Sequence, residues 1–347
     1  MPDVSVLLPL RNEAHFLDRI LTAINAQVYT SGSIEFLLID GASTDGSRIS
    51  LETTIELHNQ SLSFGTGRTL RVLENPATFV SHALNVGLTS ATGDIIVRWD
   101  AHTEYDVHYI TRCVGALEHT GAWNVGGPAR TKATGYVQRA IAAAYHSPFS
   151  VGGARFHDVD YEGYVDTVTY GCWRRQTLQD LGGFDEELVR NQDDELNLRI
   201  IRAGGTIYQS PEIVSWYYPR SRLRDLFRQY LQYGYWKVRV IRKHKLPASP
   251  RHLVPVLFVL GLFGGPLLAA LWSPLLWVYG GAVSLYTAAN LFFSFKAARE
   301  HGMDLLPALP ATFACYHISY GLGFLMALLH ALLGITQPGR LFTGLSR

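Results

Sequence analysis

A short strand-like segment ends in two side chains that could bind a metal ion. Residues 93–102 read Gly-Asp-Ile-Ile-Val-Arg-Trp-Asp-Ala-His. Because side chains alternate along a strand, Asp100 and His102 lie on the same side, at the end where open α/β sheets bind ligands. A carboxylate with an imidazole suits Mn²⁺ or Mg²⁺, and the oxygens of a diphosphate would complete the coordination. The position after a buried strand favours this metal site over the alternative, a chance surface triplet.

Acidic residues also follow a second apolar run, at 34–40. Asp40 ends that run, and a carboxylate there can accept hydrogen bonds from a base or a ribose hydroxyl. Gly41 and Asp45 follow it, and Asp45 is equally suited to cap a helix. The loop leaving the first strand adds three residues at the same edge: Pro9, Arg11 and Glu13. Glu13 could instead interact with a helix dipole.

A third group of polar residues lies at the start of a predicted helix, 193–203. A carboxylate on a rigid helix start can act as a general base, although acids are also common in first turns. Neighbouring residues of a helix diverge by about 100°, so only one of Asp193 and Asp194 can face a given site. Arg174 and Arg175 could bind an acceptor phosphate or form structural salt bridges.

The elements that must hold these residues alternate between strands and helices. This alternation predicts a doubly wound, mostly parallel α/β sheet. The predicted strands are 4–9, 34–40, 70–73, 94–99, 124–127 and 167–171, and the predicted helices are 13–24, 81–89 and 193–203.

Charge is distributed unevenly along the 347 residues. The chain carries 30 basic and 29 acidic residues, and a net charge of +1 gives no reason to expect a nucleic-acid partner. Only six charged residues lie beyond His252: Lys296, Arg299, Glu300, Asp304, Arg340 and Arg347. Three scattered cysteines suggest a reducing compartment, and no signal peptide is expected at the N-terminus. We therefore expect a domain at 1–221 that is followed by a membrane region.

The membrane region has two predicted parts. Residues 222–252 form a basic amphipathic helix and linker, which lies on a membrane surface or packs on its own domain. Residues 253–347 contain three predicted transmembrane spans, at about 253–271, 275–293 and 306–330. Positive charge precedes the first span and separates the second from the third, which places both regions in the cytoplasm.

The chain resembles the family 2 glycosyltransferases with a GT-A fold over about 4–224. The matching stretches are VLLPLRNE, LIDGASTDG, ALNVG, the segment 93–102, and the segment from Gly182 to Arg199. Within the family it looks most similar to the membrane-attached glucosyltransferases of succinoglycan biosynthesis. Asp100-Ala101-His102, NVGG, NQDDE and QYGYWK support this placement.

The resemblance implies roles for the residues of these motifs. Asp193 becomes the catalytic base, and Asp100 with His102 holds a metal ion on the diphosphate of the donor. The nucleotide-sugar site comprises Pro9, Arg11, Glu13, Asp40, Gly41, Asp45 and Asn85. Trp236 and Lys237, together with Arg174 and Arg175, would contact the acceptor or its phosphate. The sequence departs from the family pattern at Gln192, usually Glu, and at His102, usually Asp.

The resemblance thus implies an inverting transfer of one sugar from a UDP-sugar to a polyprenyl-diphosphate-linked saccharide. UDP-glucose is the donor that the resemblance favours most. The processive signature Gln-x-x-Arg-Trp is missing from the sequence. The protein is expected at a bacterial inner membrane, where membrane lipid is a partner and the catalytic domain faces the cytoplasm. Two alternatives are a polyprenyl-phosphate monosaccharide synthase, whose ionised acceptor needs no base, and an inactive nucleotide-sugar-binding scaffold.

Overall fold

The computed structural model describes residues 3–61, 67–245 and 250–344. The chain forms two compact units. The first comprises Met1–Arg130 and Arg155–Tyr218, and the second comprises Thr131–Ala154 and Pro219–Arg347. The sequence pattern assigns Thr131–Ala154 to the first domain, whereas in the structure this segment packs with the C-terminal helices.

The regular elements are as follows. The strands are β1 (Val4–Leu10), β2 (Ile34–Asp40), β3 (Arg68–Glu74), β4 (Ile95–Arg98), β5 (Thr103–Tyr105), β6 (Asn124–Gly127), β7 (Arg130–Thr131), β8 (Gly163–Val165), β9 (Thr169–Arg174), β10 (Ile207–Gln209) and β11 (Ser215–Tyr217). The α-helices are α1 (Leu17–Ala26), α2 (Ser47–Ser61), α3 (Val80–Ser90), α4 (Tyr109–Thr120), α5 (Tyr136–Tyr145), α6 (Pro148–Val151), α7 (Arg175–Asp180), α8 (Gln192–Arg202), α9 (Leu223–His244), α10 (Val254–Leu271), α11 (Pro274–His301), α12 (Leu309–Leu332) and α13 (Arg340–Thr343).

The first unit is built on a mixed, mostly parallel sheet of order β3-β2-β1-β4-β9-β6-β10-β8. β1 pairs in parallel with β2 and β4, and the antiparallel β9 lies between β4 and β6. Every residue of β2 is buried, as expected for a central parallel strand. This architecture confirms the predicted GT-A class of fold.

Alternating residues of the central strands supply two separate cores. Val6 and Leu8 point to the face covered by α1 and α4, whereas Leu7 points to the face covered by α3 and α8. Both faces of the sheet are therefore covered by helices. The strand ends, with the loops that follow them, are left at the edges of the sheet, where ligands bind in such folds.

The second unit is helical. α9 packs against α12 so closely that a Cβ on Gly234 would lie 2.0 Å from the Tyr320 carbonyl oxygen, and one on Gly323 would lie 1.9 Å from that of Leu231. Small residues allow such close approach of two helices. The predicted basic helix 222–245 is α9, and it packs on one of the long apolar helices.

Among the described residues, three helices are long and apolar enough to cross a membrane by length and composition: α10, α11 and α12. They agree with the three predicted spans. α11 continues to His301, so the charged residues Lys296, Arg299 and Glu300 lie on the end of this helix rather than in a loop. They mark where the apolar part of α11 ends.

Candidate active site

Three candidate site residues lie at or just after the carboxyl ends of neighbouring parallel strands. Asp40 ends β2 opposite Leu10 of β1, and Arg98 ends β4. The backbone N–H of Trp99 donates to the Leu7 carbonyl at 2.9 Å, which extends the pairing to the residue before Asp100. The sheet therefore brings Asp40, Arg98 and Asp100 to one edge.

The predicted base, Asp193, forms an ion pair with Arg98. Asp193 lies in the first turn of α8, and its Oδ1 accepts a hydrogen bond from Arg98 Nη1. The Arg98 side chain is 8 % exposed and that of Asp193 is 36 % exposed. The guanidinium carbon also lies 6.0 Å from the centre of the Tyr170 ring. A buried cation thus holds the carboxylate at the edge of the sheet where Asp100 lies.

The surroundings of Asp193 act on its pKa in opposite directions. Burial raises the pKa of the Asp193 carboxyl, and the Arg98 guanidinium acts to lower it. The nearby charges of Asp194 and Asp100 act to raise it, and the net direction is upward. A carboxylate with a raised pKa is a better proton acceptor than an ordinary surface carboxylate.

Asp40 presents a buried acceptor atom at the same edge. The residue is 2 % exposed, and its Oδ2 accepts from the Ser43 backbone N–H at 3.2 Å. Its buried Oδ1 has no hydrogen-bond partner among the residues that the structure describes. Because an unsatisfied buried acceptor costs free energy, this atom is suited to a donor group on a ligand. A base N–H or a ribose hydroxyl carries such a donor.

The loop after β1 is tied to the loop after β2. The Asp45 carboxylate accepts from the backbone N–H groups of Ala14 and Ser47, both at 3.0 Å. Burial acts to raise the pKa of Asp45, but hydrogen bonds from the Ser47 hydroxyl and from these backbone N–H groups outweigh it, so the pKa is lowered. At Gly41, a Cβ would lie 3.3 Å from Arg11 Cβ, so the two loops touch. Asp45 thus holds these loops together, and its direct contact with a nucleotide stays a prediction.

His102 pairs with Glu13 from the other loop, with 2.6 Å between Nε2 and Oε1. The His102 backbone N–H donates to Asp100 Oδ1 at 2.9 Å, and the imidazole meets the Phe16 ring edge-on. In the described parts of the chain, no group of three or more His, Cys, Asp or Glu side chains could hold a metal ion. Asp100 and His102 are therefore at most two ligands, which fits a cation that a bound diphosphate also coordinates.

Aromatic residues support the strand end that carries Asp100. The Tyr105 hydroxyl accepts from the Asp100 backbone N–H at 2.6 Å, and its ring stacks on Trp99 at 4.2 Å. The hydroxyls of Thr103 and Tyr170 form a hydrogen bond. Tyr170 has a φ of 64°, a left-handed conformation that a bulky residue rarely adopts. Such strained residues concentrate at functional sites.

A buried amide network positions α8. Asn124 of β6 donates to Asn197 Oδ1 at 2.8 Å, and Asn197 donates to the Thr167 hydroxyl at 2.8 Å. Asn197 lies one helical turn after Asp193, so the network fixes the face of α8 that carries Asp193, the predicted base. On the same helix, Arg199 pairs with the buried Glu195.

Two residues that are predicted to contact a ligand form hydrogen bonds with the protein backbone. Asn85 donates to the Phe184 carbonyl and to Glu186 Oε1, both at 2.8 Å, and its Oδ1 accepts from the Phe184 N–H. Arg175 Nη1 donates to the Ala91 carbonyl at 2.9 Å, whereas Arg174 is exposed. These contacts fix loops, and roles of these residues in ligand binding stay predictions.

Trp236 and Lys237 lie in the second unit. Both are buried, at 1 % and 4 % exposure. Trp236 Nε1 donates to the Phe342 carbonyl at 2.9 Å, which fastens the C-terminal segment to α9. Their predicted contact with the acceptor has no counterpart in these interactions and stays a prediction.

Two features of the site are not predicted by the sequence motifs. Arg98 is a cation inside an otherwise apolar strand, two positions before Asp100, and strand alternation already placed both side chains on one side. The pairing of His102 with Glu13 joins residues 89 positions apart and had no local signal.

Comparison with known proteins identifies the family of this chain. Residues 5–177 match the family model described as glycosyl transferase family 2. The chain belongs to glycosyltransferase family 2, and it is a glycosyltransferase. The resemblance drawn from the sequence motifs is confirmed.

Similar proteins cover nearly the whole chain. The succinoglycan biosynthesis protein ExoA of Rhizobium meliloti (strain 1021) is 26 % identical over 326 residues, which are 93 % of this chain and 94 % of that protein. A dolichyl N-acetyl-alpha-D-glucosaminyl phosphate 3-beta-D-2,3-diacetamido-2,3-dideoxy-beta-D-glucuronosyltransferase of Methanococcus voltae is 26 % identical over 326 residues, which are 92 % of this chain and 95 % of that protein. The relatives of this chain therefore include a protein of succinoglycan biosynthesis and a glycosyltransferase that acts on a dolichyl-linked sugar.

One solved structure has the same fold. The mannosyltransferase PcManGT of Pyrobaculum calidifontis, solved in complex with GDP-Man and Mn²⁺, superposes with a TM-score of 0.59 at 20 % sequence identity. The match covers 93 % of this chain and 87 % of that one.

Proposed function

We propose that this protein is an inverting, metal-dependent, non-processive glycosyltransferase. It moves one sugar, glucose, from a UDP-sugar to a polyprenyl-diphosphate-linked saccharide in exopolysaccharide or other cell-surface glycan synthesis. The observation that carries this proposal is the Asp193–Arg98 ion pair, because it holds a carboxylate of raised pKa at the edge of the sheet where Asp100 lies.

The proposed reaction is a single displacement. Asp193 takes the proton of an acceptor hydroxyl while that oxygen forms a bond to the anomeric carbon of the sugar. The bond between this carbon and the diphosphate oxygen breaks, and the nucleoside diphosphate leaves with the electron pair. Because the acceptor attacks opposite the leaving group and no covalent enzyme intermediate forms, the anomeric configuration inverts.

Asp100 and His102 are the residues that would hold Mn²⁺ or Mg²⁺. When bound, the cation would supply positive charge for the leaving diphosphate. Glu13 engages His102 Nε2, which orients the ring and leaves Nδ1 as the nitrogen for a metal. The Mn²⁺ in the mannosyltransferase of the same fold supports use of a divalent cation.

The donor and acceptor follow from two further observations. The buried, unpartnered Oδ1 of Asp40 suits a donor group of a nucleotide base or ribose, and we infer uridine from the resemblance to the UDP-glucose-type enzymes. The printed names of the relatives, a succinoglycan biosynthesis protein and a dolichyl-phosphate glycosyltransferase, support a lipid-linked saccharide as acceptor.

We place the protein in a bacterial-type inner membrane, with α10 and α11 as spans and with α12, the third candidate, packed along α9. Lys296 and Arg299 on the end of α11 put that end in the cytoplasm under the positive-inside rule. The same rule puts the catalytic domain, which precedes α10, on the cytoplasmic side. Lipid phosphates would be attracted by the basic residues of α9.

The test uses the full chain in proteoliposomes that contain membrane-extracted polyprenyl-linked saccharides. Nucleoside diphosphate release is measured across a panel of UDP-, GDP- and other nucleotide-sugars, with D193N as the inactive variant and D194N as its matched control. Transfer from a UDP-sugar that D193N abolishes and D194N retains is expected.

Other outcomes contradict the proposal. Transfer to polyprenyl phosphate that survives D193N identifies a polyprenyl-phosphate monosaccharide synthase instead. Donor binding without transfer to any acceptor identifies a binding scaffold.

A further inference from the structure

A short helix from the middle of the chain packs among the long apolar helices. α6 belongs to the second unit, together with α10, α11 and α12. The Phe149 ring stacks on Phe293 of α11 at 4.8 Å and meets Phe313 of α12 edge-on at 5.3 Å. The sequence pattern gave no sign of this contact, because Phe149 precedes these helices by more than a hundred residues.

His317 of α12 binds the backbone of α6. Its Nε2 lies 2.8 Å from the Phe149 carbonyl oxygen, which can only accept, so Nε2 carries the hydrogen. The other ring nitrogen, Nδ1, therefore accepts from the Tyr286 hydroxyl, 3.0 Å away on α11. The ring is 9 % exposed. Both of its nitrogens are satisfied when the imidazole is neutral.

The contacts lie in the apolar part of α11, next to its charged end. Phe293 precedes Lys296, the first charged residue of the α11 end, by three residues, and Tyr286 precedes it by ten. At 1.5 Å per residue these are about 4 and 15 Å along the helix. The His317 ring lies 6.4 Å from the ring of Phe258, in the second turn of α10. Phe149 contacts the rings of Phe293, Tyr286 and His317 and therefore lies between these levels.

α5, which precedes α6, begins near the charged segment that connects α11 and α12. Arg139 forms two bonds with the Asp304 carboxylate, at 2.8 and 3.2 Å, and Asp304 lies between α11 and α12. The Tyr136 hydroxyl donates to the Asp304 carbonyl at 2.9 Å. The chain thus runs from a charged anchor at Arg139 inward to Phe149.

Several polar groups of α6 are satisfied within the protein. Ser147 Oγ accepts from the Phe149 N–H at 3.3 Å, and the N–H groups of Ser150 and Gly152 donate to the carbonyls of Ser147 and Pro148 at 3.1 and 2.9 Å. The segment 147–154 contains no charged residue. In hydrocarbon, non-helical backbone is tolerated where protein groups satisfy it.

We propose that residues 147–152 form a re-entrant membrane element, whose partner is the hydrocarbon region of the bilayer and whose anchor is His317. The proposal rests on the membrane placement of α10 and α11 in the proposed function. It assigns a membrane-embedded role to a segment that lies between the two sequence parts of the catalytic unit. It also gives His317, a polar residue in an apolar helix, a specific partner.

The depth of this element can be measured with nitroxide labels on the full chain in liposomes. The labelled variants are P148C on α6, L267C on α10 and I49C on α2, all exposed positions. The wild-type chain, labelled in parallel, measures the reaction of Cys113, Cys172 and Cys315. We expect P148C to match L267C, with high accessibility to oxygen and low accessibility to a water-soluble nickel complex.

Two results overturn the proposal and are distinguishable. If P148C matches I49C while L267C reports hydrocarbon, the spans cross the membrane but the element does not enter it. If L267C also matches I49C, the membrane placement itself is wrong, and the proposed function loses that part as well.

Substitutions of His317 test the anchor. H317A removes the bond to the Phe149 carbonyl, so the P148C label should gain motion and accessibility to the nickel complex. H317Q keeps an amide N–H that can donate, and should retain most of the wild-type signal. Y286F, which removes only the hydroxyl that Nδ1 accepts from, should have a smaller effect than H317A. Equal label motion and accessibility in H317A and wild type would contradict the anchor.

Discussion

Replacing Asp193 with Asn tests the base with little change in shape. An Asn side chain has the same size, and its Oδ1 can still accept from Arg98 Nη1, so the ion-pair geometry is largely retained. It does not take a proton from a hydroxyl at neutral pH. A positioned general base contributes about 10²–10⁴-fold to a rate. At about 1.4 kcal/mol per tenfold, this is roughly 3–5 kcal/mol of the barrier.

The assay separates chemistry from binding. We expect D193N to reduce kcat for nucleoside diphosphate release by about 10³-fold, within the range for a general base, while donor Kd stays within about threefold. D194N, which removes a neighbouring charge from the same turn, should retain kcat within about tenfold. A kcat of D193N within tenfold of wild type, with normal donor affinity, would refute the assignment of Asp193 as base.

The pH dependence follows from the same carboxylate. Asp193 accepts a proton only when ionised, so kcat should fall as the pH drops through its pKa, which burial raises above the ordinary Asp value. In D193N this acidic limb should disappear from the residual rate. An unchanged acidic limb in D193N would assign the titration to another group.

Three further predictions concern Arg98, His102 and Glu35. R98M removes the cation that opposes the rise in the Asp193 pKa. In a pH–rate profile, the acidic limb of kcat should therefore move to higher pH. An acidic limb that does not move would contradict this electrostatic role of Arg98. Added Mn²⁺ or Mg²⁺ should increase the affinity of the protein for UDP in calorimetry, and H102A should reduce this increase by about tenfold or more. H108A, a control at an exposed position, should retain the increase. A wild-type affinity for UDP that does not respond to metal would contradict the metal site. E35A removes the acceptor of the buried Ser5 hydroxyl and of the Thr92 backbone N–H, and it should lower the free energy of unfolding by about 3 kcal/mol in denaturant titration. A loss below about 1 kcal/mol would contradict the stabilising role of these hydrogen bonds.

The main elements could be predicted because their signals are local. Continuous apolar runs such as Ile34–Asp40 mark buried parallel strands, and apolar stretches long enough to cross a bilayer mark α10, α11 and α12. The strand-end carboxylates could be predicted for the same reason, since parallel strands bring their carboxyl ends to one edge. The placement of Asp40 and Asp100 at this edge thus follows from the topology of the sheet alone.

The features that could not be predicted depend on contacts between residues far apart in the sequence. The Arg98–Asp193 pair joins β4 to α8 across 95 positions, and no periodicity encodes which acid of the first turn of α8 faces the strand. The resemblance assigns Asn85 to the nucleotide-sugar site, and no local pattern indicated the three hydrogen bonds through which it also holds the loop before α8. The segment Thr131–Ala154 has too little charge pattern to reveal which unit it joins.

The central claim is a single displacement at the anomeric carbon, and the configuration of the product tests it most directly. Full-length protein, an α-linked UDP-sugar and a lipid-linked saccharide acceptor are incubated, and the new glycosidic bond is analysed by NMR through its one-bond and three-bond couplings at the anomeric position. The direct attack assisted by Asp193 predicts a β-linked product. An α-linked product would contradict the single displacement and require a different mechanism at this site.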